Sequence, residues 1–421
     1  MHPPRPSLGR NVLALTLVSF FTDVSSEMIY PLLPVFLTGV LGASASFVGA
    51  IEGAAESTSS VLKLVSGWWS DRIRRRKPLV VFGYALASTM RPLVAFARSA
   101  TEVLVIRLSD RVGKGIRNAP RDALIADSID SSIRGRAFGF HRAGDHAGGV
   151  VGPLIAFALL SWWAMPMRQV FLLAAIPGAL AVLISIVGVR EPPWAEGGGQ
   201  RAASQRSHSM LRQFLRSLSR RPLPAALHAR PSLPALRTLP APFWSTLAVI
   251  VLFTLGNSTD AFLLLRATQL GVPVTLAPVL WALLHVVKAL ASTPGGALSD
   301  RVGRKPTLGA GWLLYAAVYA GFAFASDVWH AWVLFAVYGV FFGLTEGTER
   351  ALIADIVPPE RRGSAYGWYH LAVGLGMFPA SLLFGVVWDR AGAPTAFLVG
   401  ATLSLGAALG LSVAVPRART R

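Results

Sequence analysis

The sequence predicts an all-α membrane protein with twelve transmembrane helices in two six-helix, pseudo-repeated bundles around a central cavity. Composition is the first reason: 53% of its 421 residues are hydrophobic and only 14% charged, far more apolar surface than a soluble domain needs to fill its core. Second, runs of roughly 18 to 25 apolar residues recur along the chain, each long enough to cross a hydrocarbon layer about 30 Å thick as a helix. Third, the text of the first half returns in the second.

The predicted spans lie near residues 12–38, 46–69, 78–97, 102–126, 139–162, 169–189, 243–268, 274–298, 307–326, 330–353, 365–388 and 394–415. Arg5 and Arg10 ahead of "NVLALTLVSFF" imitate a secretory signal, but the apolar run continues past Asp23 and no small-residue cleavage site follows. It is expected to be the first span. The formal charge of +19 invites a nucleic-acid reading, and its location argues against one. Arg and Lys crowd the N-terminus, the connections after spans 2, 4, 6, 8 and 10, and the tail "PRARTR", whereas the opposite connections hold isolated cations such as Arg98, Arg168 and Arg390. That asymmetry predicts an integral protein of the cytoplasmic (inner) membrane with both termini in the cytoplasm. With no cysteine in the chain, neither a disulfide framework nor a thiolate metal site is available, and no metal or cofactor is expected.

The repeat is specific. "GWWSDRIRRRKP" (67–78) returns as "GGALSDRVGRKP" (295–306), with Asp71 and Asp300 229 positions apart, and "RDALIADSIDSSIRGRAFGF" (121–140) returns as "RALIADIVPPERRGSAYGW" (350–368), aligning Asp127 with Asp355 at an offset of 228. The one-residue change arises because "DRIRRRK" is one residue longer than "DRVGRK". An internal duplication of six spans each suits two bundles flanking a central pathway. The expected organisation is a bundle over 1–189, a basic linker over 190–242 and a second bundle over 243–421. Within the linker, "SMLRQFLRSLSRR" spaces Met210, Phe214 and Leu218 as one helical face and Arg212, Arg216 and Arg220 as another, which fits an amphipathic helix lying on anionic lipid headgroups. A basic loop that only sets topology is the plainer alternative.

At these residues the chain resembles the major facilitator superfamily of secondary transporters. The second-half copy of that family's loop signature is full: Gly296, Asp300, Arg301, Gly303, Arg304 and Lys305. The first-half copy keeps Gly67, Asp71, Arg72, Arg75 and Arg76 but has Arg74 in place of the glycine. "RVGKGIRNA" in span 4 is similar to the second motif through Arg111 and Gly115, and "GDHAGGVVGP" in span 5 resembles the antiporter motif through Gly148, Gly152 and Pro153, departing from it afterwards. The resemblance implies a conformational latch at the loop motifs, a cavity lined by all helices except every third one, a small-molecule substrate, and a mechanically sufficient monomer.

Charge inside the spans has its own pattern. An ionisable side chain at mid-bilayer costs about 2.5 to 3.5 kcal/mol on insertion scales, so several need partners or a watery cavity. Spans 6, 9 and 12 carry almost none and span 3 only Arg91, whereas the rest are loaded. Asp23/Glu27, Glu52/Glu56, Arg107/Arg111, Arg117/Arg121, His141/Asp145, Arg142/His146 and Glu346/Arg350 each stand four residues apart, which places each pair on one helix face. Candidates to carry a coupling proton or meet the substrate are Asp23, Glu27, Glu52, Glu56, Asp145, His146, Asp260, Arg266, His285 and Glu346. Asp23 or Glu27 is the leading choice. The competing reading makes these acids static partners of the arginines in spans 4 and 5. Arg111, Arg117 and Arg121 either bind an anionic substrate or counter the acids, and Tyr30 and Trp281 are candidates to contact a substrate.

Function is therefore expected to be proton-coupled export of a drug-like or amphiphilic compound, with proton-coupled uptake of an organic anion as the alternative. An intramembrane enzyme lacks a visible reactive constellation: there is no His-Glu-x-x-His, no Gly-x-Ser-x-Gly and no thiol. A non-transporting receptor sits poorly with two latch motifs at equivalent places.

Overall fold

The computed structural model describes residues 9–73, 75–128, 134–191, 239–358 and 362–414. Most of the expected linker, with its amphipathic segment, and the "PRARTR" tail lie outside the described residues. Helix α1 runs Arg10–Val40, α-helical to Glu27 and continued by a 3-10 turn at Tyr30–Leu32 and a π turn at Phe36–Val40. Pro31 and Pro34 account for the change, since each removes a backbone donor from the ladder. Helices α2 (Ala45–Ile73), α3 (Lys77–Phe96), α4 (Ala100–Asp127), α5 (Arg134–Ser161) and α6 (Met167–Gly188) complete the first half. The second half is α7 (Ala241–Gln269), α8 (Val274–Val302), α9 (Arg304–Phe324) and α10 (Val328–Ile356), followed by one helical run, Arg362–Ala414, that turns at Gly392. Gly392 has φ +84°, a region open to glycine, so the run divides into α11 (362–391) and α12 (393–414).

Among the described residues nine segments are long and apolar enough to cross a bilayer, the last of them being α11 and α12 together. Helices α2 and α4 are equally long, at 29 and 28 residues, and fall outside that set because they hold the buried charge. With them the count is twelve.

In the first half α1 packs on α5 and α6, α2 on α4, and α3 on α4 and α6; in the second, α8 packs on α10 and α9 on α10. The two halves meet along two seams, α2 against α11 and α5 against α8. The α2–α11 seam is close: a Cβ on Gly53 would lie 2.8 Å from Phe378 Cα, and one on Gly385 would press on Ser46. On the side away from the termini, Asp389 at the end of α11 accepts the backbone N–H groups of Ala45 (2.9 Å) and Ser46 (2.8 Å), capping α2 with a carboxylate from the other half. Leu33–Val35 of α1 packs against Ala261–Gln269 of α7 on the same side.

The duplication is legible in contacts. Arg76 pairs with Asp127 and Arg304 with Asp355 (3.5 Å), both members shifted by 228. The arginine equivalent to Arg304 is thus Arg76, one place beyond the Arg75 expected in the motif. Arg304 also binds Asp300 at 2.5 Å and donates to Ser299 Oγ at 2.6 Å, so the loop between α8 and α9 is tied to the foot of α10. Gly303, which ends α8 and begins α9, has φ +105° and ψ 153°, a conformation costing about 1–3 kcal/mol for any other residue. Gly303→Ala is expected to lower the stability of the detergent-solubilised protein by that amount, read as a lower midpoint of thermal unfolding.

Candidate functional site: the charged wall between the halves

Helix α4 begins with a cap, Ser99 Oγ accepting from Glu102 N, and then carries its charges inward. Glu52 of α2 receives Arg107 in a bidentate pair, Nε–Oε1 2.9 Å and Nη2–Oε2 2.6 Å. Arg107 also lies 3.6 Å from Asp110, and Asp110 binds Arg91 of α3 at 2.8 Å. Arg91 donates in turn to the carbonyl of Thr22 in α1 at 2.9 Å. All four side chains are buried. This chain ties α1, α2, α3 and α4 into one body, and Glu52 is held in it by two hydrogen bonds.

Asp23 and Glu27 stand apart from that network. Their Cβ atoms rest on the glycines of α5: a Cβ on Gly148 would lie 2.9 Å from that of Asp23, and one on Gly152 3.0 Å from that of Glu27. The span 1 acids and the span 5 motif are thus two sides of one contact, and Pro153 comes next inside the same helix. Glu27 Oε2 accepts from Trp281 Nε1 of α8 at 2.7 Å, a hydrogen bond between the halves, and Tyr30 packs on Trp281 with ring centroids 4.9 Å apart. Among the described residues the Asp23 carboxylate makes no hydrogen bond or ion pair; its charged neighbours are Asp145, Glu27, Arg117 and Lys114.

The other expected residues are spread over several contacts. Glu56 pairs with Lys63 at 3.7 Å and faces Lys114 and Arg111. Arg121 binds its neighbour Asp122. Arg117 is buried over the Tyr84 ring, 4.3 Å from its centroid, with Nε and Nη1 lacking a hydrogen-bond partner among the described residues. Asp145 lies 3.8 Å from His141 and 3.7 Å from Arg142, and His285 stands against Gly149 beside Trp281. His146 lies on the face of α5 that also bears Arg142, in a cleft against α8. Glu346 gathers Arg142 (2.6 Å), Arg350 (3.4 Å) and Lys288 (3.5 Å) from three helices. Asp260 accepts from Tyr338 at 2.6 Å. Arg266 is turned to the carbonyls of Phe322 and Ala325 at the end of α9, a capping position. In the loop motifs, Gly67 packs near Ala119, Gly296 is open and Arg301 exposed; the side chains of Asp71 and Arg72 lie outside the described residues.

Two residues not singled out from sequence, Asp110 and Asp389, prove central. Equivalent positions at the 228 offset show what the second half puts where the first has ions: Arg91 becomes Tyr319, Asp110 becomes Tyr338 and Arg107 becomes Phe335, members of a buried aromatic cluster with Tyr315 and Phe322. Exposure of the polar wall is graded. Glu52 and Trp281 are 7% and 5% exposed, whereas Arg142 and Arg350 nearer the terminal side show 49% and 47% of their side chains. Two six-helix halves that repeat one loop motif and hold buried charge between their helices have the architecture of a membrane transporter.

Comparison with known proteins agrees. The pattern of the Major Facilitator Superfamily matches residues 15–287 and 267–421, and the chain belongs to that family. It is 32% identical over 404 residues to an uncharacterized MFS-type transporter of Methanocaldococcus jannaschii, covering 94% of this chain and 93% of the other. It is 36% identical over 124 residues to a multi-drug resistance efflux pump of Streptococcus pneumoniae serotype 4, covering 29% and 30%. Its fold is similar to the crystal structure of a bacterial homolog of the human lysosomal transporter Spinster, inward-facing and occupied, with TM-score 0.69, 18% identity, and 96% and 94% of the two chains covered.

Glu52→Gln leaves Arg107 buried with the charge of its bidentate partner gone. Removing one member of such a pair costs about 3–5 kcal/mol, so the variant is expected to unfold at markedly lower temperature, and Glu52→Gln combined with Arg107→Gln is expected to recover part of the loss in a double-mutant cycle.

Proposed function

We propose that the chain exports a small amphiphilic or drug-like molecule across the cytoplasmic membrane in exchange for protons, with both termini in the cytoplasm. The observation that carries this reading is Asp23. It is a carboxylate facing α4 and α5 with no fixed counter-ion among the described residues, one helical turn from Glu27, which bonds across to the other half. An acid free of a fixed partner can exchange a proton or hold a cationic group, and it can do so differently when the halves rock. By contrast, Glu52 is committed to Arg107. The distribution of Lys and Arg among the loops supports the orientation, and the efflux pump of S. pneumoniae supports the direction.

A second reading, proton-coupled uptake of an organic anion, draws on Arg117, whose Nε and Nη1 have no hydrogen-bond partner among the described residues. Uptake or extrusion by energised cells separates the two.

Proteoliposomes carrying wild type, Asp23→Asn or Glu27→Gln, challenged with cations, lipophilic drugs and organic anions while internal pH is monitored, test the proposal. One compound class is expected to trigger proton movement in wild type. Asp23→Asn is expected to reduce it about a hundredfold, the low end of what a positioned proton-transfer group contributes. Undiminished flux in both variants would remove the pair from the coupling step.

A further inference from the structure

The α5–α8 seam carries a cleft of about 520 Å³ on the terminal side of the bilayer, lined by Arg142, His146 and Ala147 of α5 and by Val286, Ala289 and Leu290 of α8. It opens sideways: Leu290 is 72% and Val286 39% exposed, and the same flank of α5 continues with exposed Val151, Leu154 and Ile155. In a spanning helix such surface faces lipid. Arg142 lies eight residues into α5, about 12 Å from the helix end at 1.5 Å per residue. A 28-residue helix overhangs a hydrocarbon layer of about 30 Å by roughly 6 Å at each end. The guanidinium therefore sits a few ångströms inside the edge of that layer, where a long cation can still reach the headgroups.

Glu346 at the inner end of the cleft has more cations than it needs. Arg142, Lys288 and Arg350 all gather on it, and Arg142 also lies 3.7 Å from Asp145. Arg142 is the most exposed of the three, with 49% of its side chain accessible. If it leaves Glu346, Lys288 and Arg350 still neutralise that acid. A groove filled only by lipid tails has no use for Arg142 and His146 in its wall, since each is costly beside hydrocarbon.

We propose that this cleft is an entry site for a single-chain amphiphile with an anionic headgroup, drawn laterally from the leaflet on the side of the termini. The headgroup rests on Arg142, and the chain lies along Val286 and Leu290. Binding sets the headgroup in competition with Glu346 for Arg142, an ion pair that joins α5 of one half to α10 of the other, so occupancy loosens the seam. The inference rests on the transport reading for the steps after binding, not for binding itself.

Because the chain has no native cysteine, a bimane fluorophore can be placed at Ala289→Cys alone. In vesicles without a pH gradient, nitroxide-labelled stearate is titrated against nitroxide-labelled phosphatidylcholine. The stearate is expected to quench saturably and to be displaced by unlabelled oleate, while the phosphatidylcholine quenches in simple proportion to its amount. Arg142→Gln is expected to raise the half-saturating concentration about tenfold, the worth of one charge-assisted hydrogen bond, with Arg142→Lys restoring part of it. Val286→Trp, which fills the groove and leaves Arg142 in place, is expected to abolish saturation. Equal, non-saturating quenching by both probes, or saturation indifferent to Arg142→Gln and Val286→Trp, would overturn the site. Saturable quenching in a protein that moves no protons would leave the cleft standing and remove the coupling proposal.

Discussion

The buried chain Glu52–Arg107–Asp110–Arg91 is the constraint on which the first half depends. Charges taken out of water survive only with close partners, and here the partners come from α2, α4 and α3, ending on a backbone carbonyl of α1. The network therefore fixes the rotation of α2, α3 and α4 about their axes at once. Helix α1 is placed by it, and through α1 so is the position of Asp23 and Glu27 on the glycines of α5. Glu52 is committed to Arg107 within the first half, whereas Glu27 bonds across to Trp281 of the second.

The second half reaches the same fold by other means. Where the first has Arg91, Asp110 and Arg107, it has Tyr319, Tyr338 and Phe335, packed by ring contacts at centroid distances of about 4 to 6 Å. The backbone geometry of the duplication persists: Gly83 and Gly311 both admit the α4 or α10 residue facing them, Arg117 in one half and Thr345 in the other. An ionic core demands directional partners, whereas an aromatic one is held by area and shape. The two halves thus have unlike cores.

Run length and repeated text make the spans and the duplication legible, because both are properties of neighbouring residues. The four-residue spacing of Asp23/Glu27 and Glu52/Glu56 is equally legible, yet it does not separate a free acid from a locked one. That difference lies in which residue of α4 or α8 stands opposite, and turning a helix by one residue changes the answer completely. Arg76 is hidden among three successive arginines; only its partner Asp127, matched to Asp355, identifies it. Trp281 stands out as an aromatic in a span that also holds His285 and Lys288, but its bond to Glu27 joins residues 254 positions apart, beyond any local signal.

The Asp389 cap on α2 has a consequence for how this protein can vary. Its donors are backbone N–H groups, which every residue other than proline supplies, so the two hydrogen bonds do not depend on which side chains stand at positions 45 and 46, although Ala45 is itself buried and Ser46 packs on Gly385. The whole chemical burden falls on one residue at the far end of the other half. Substitutions at Asp389 remove both hydrogen bonds at once, whereas those at 45 and 46 reach them only through packing or by introducing proline. A hydrogen bond made this way depends on the side chain at one partner and on the backbone alone at the other.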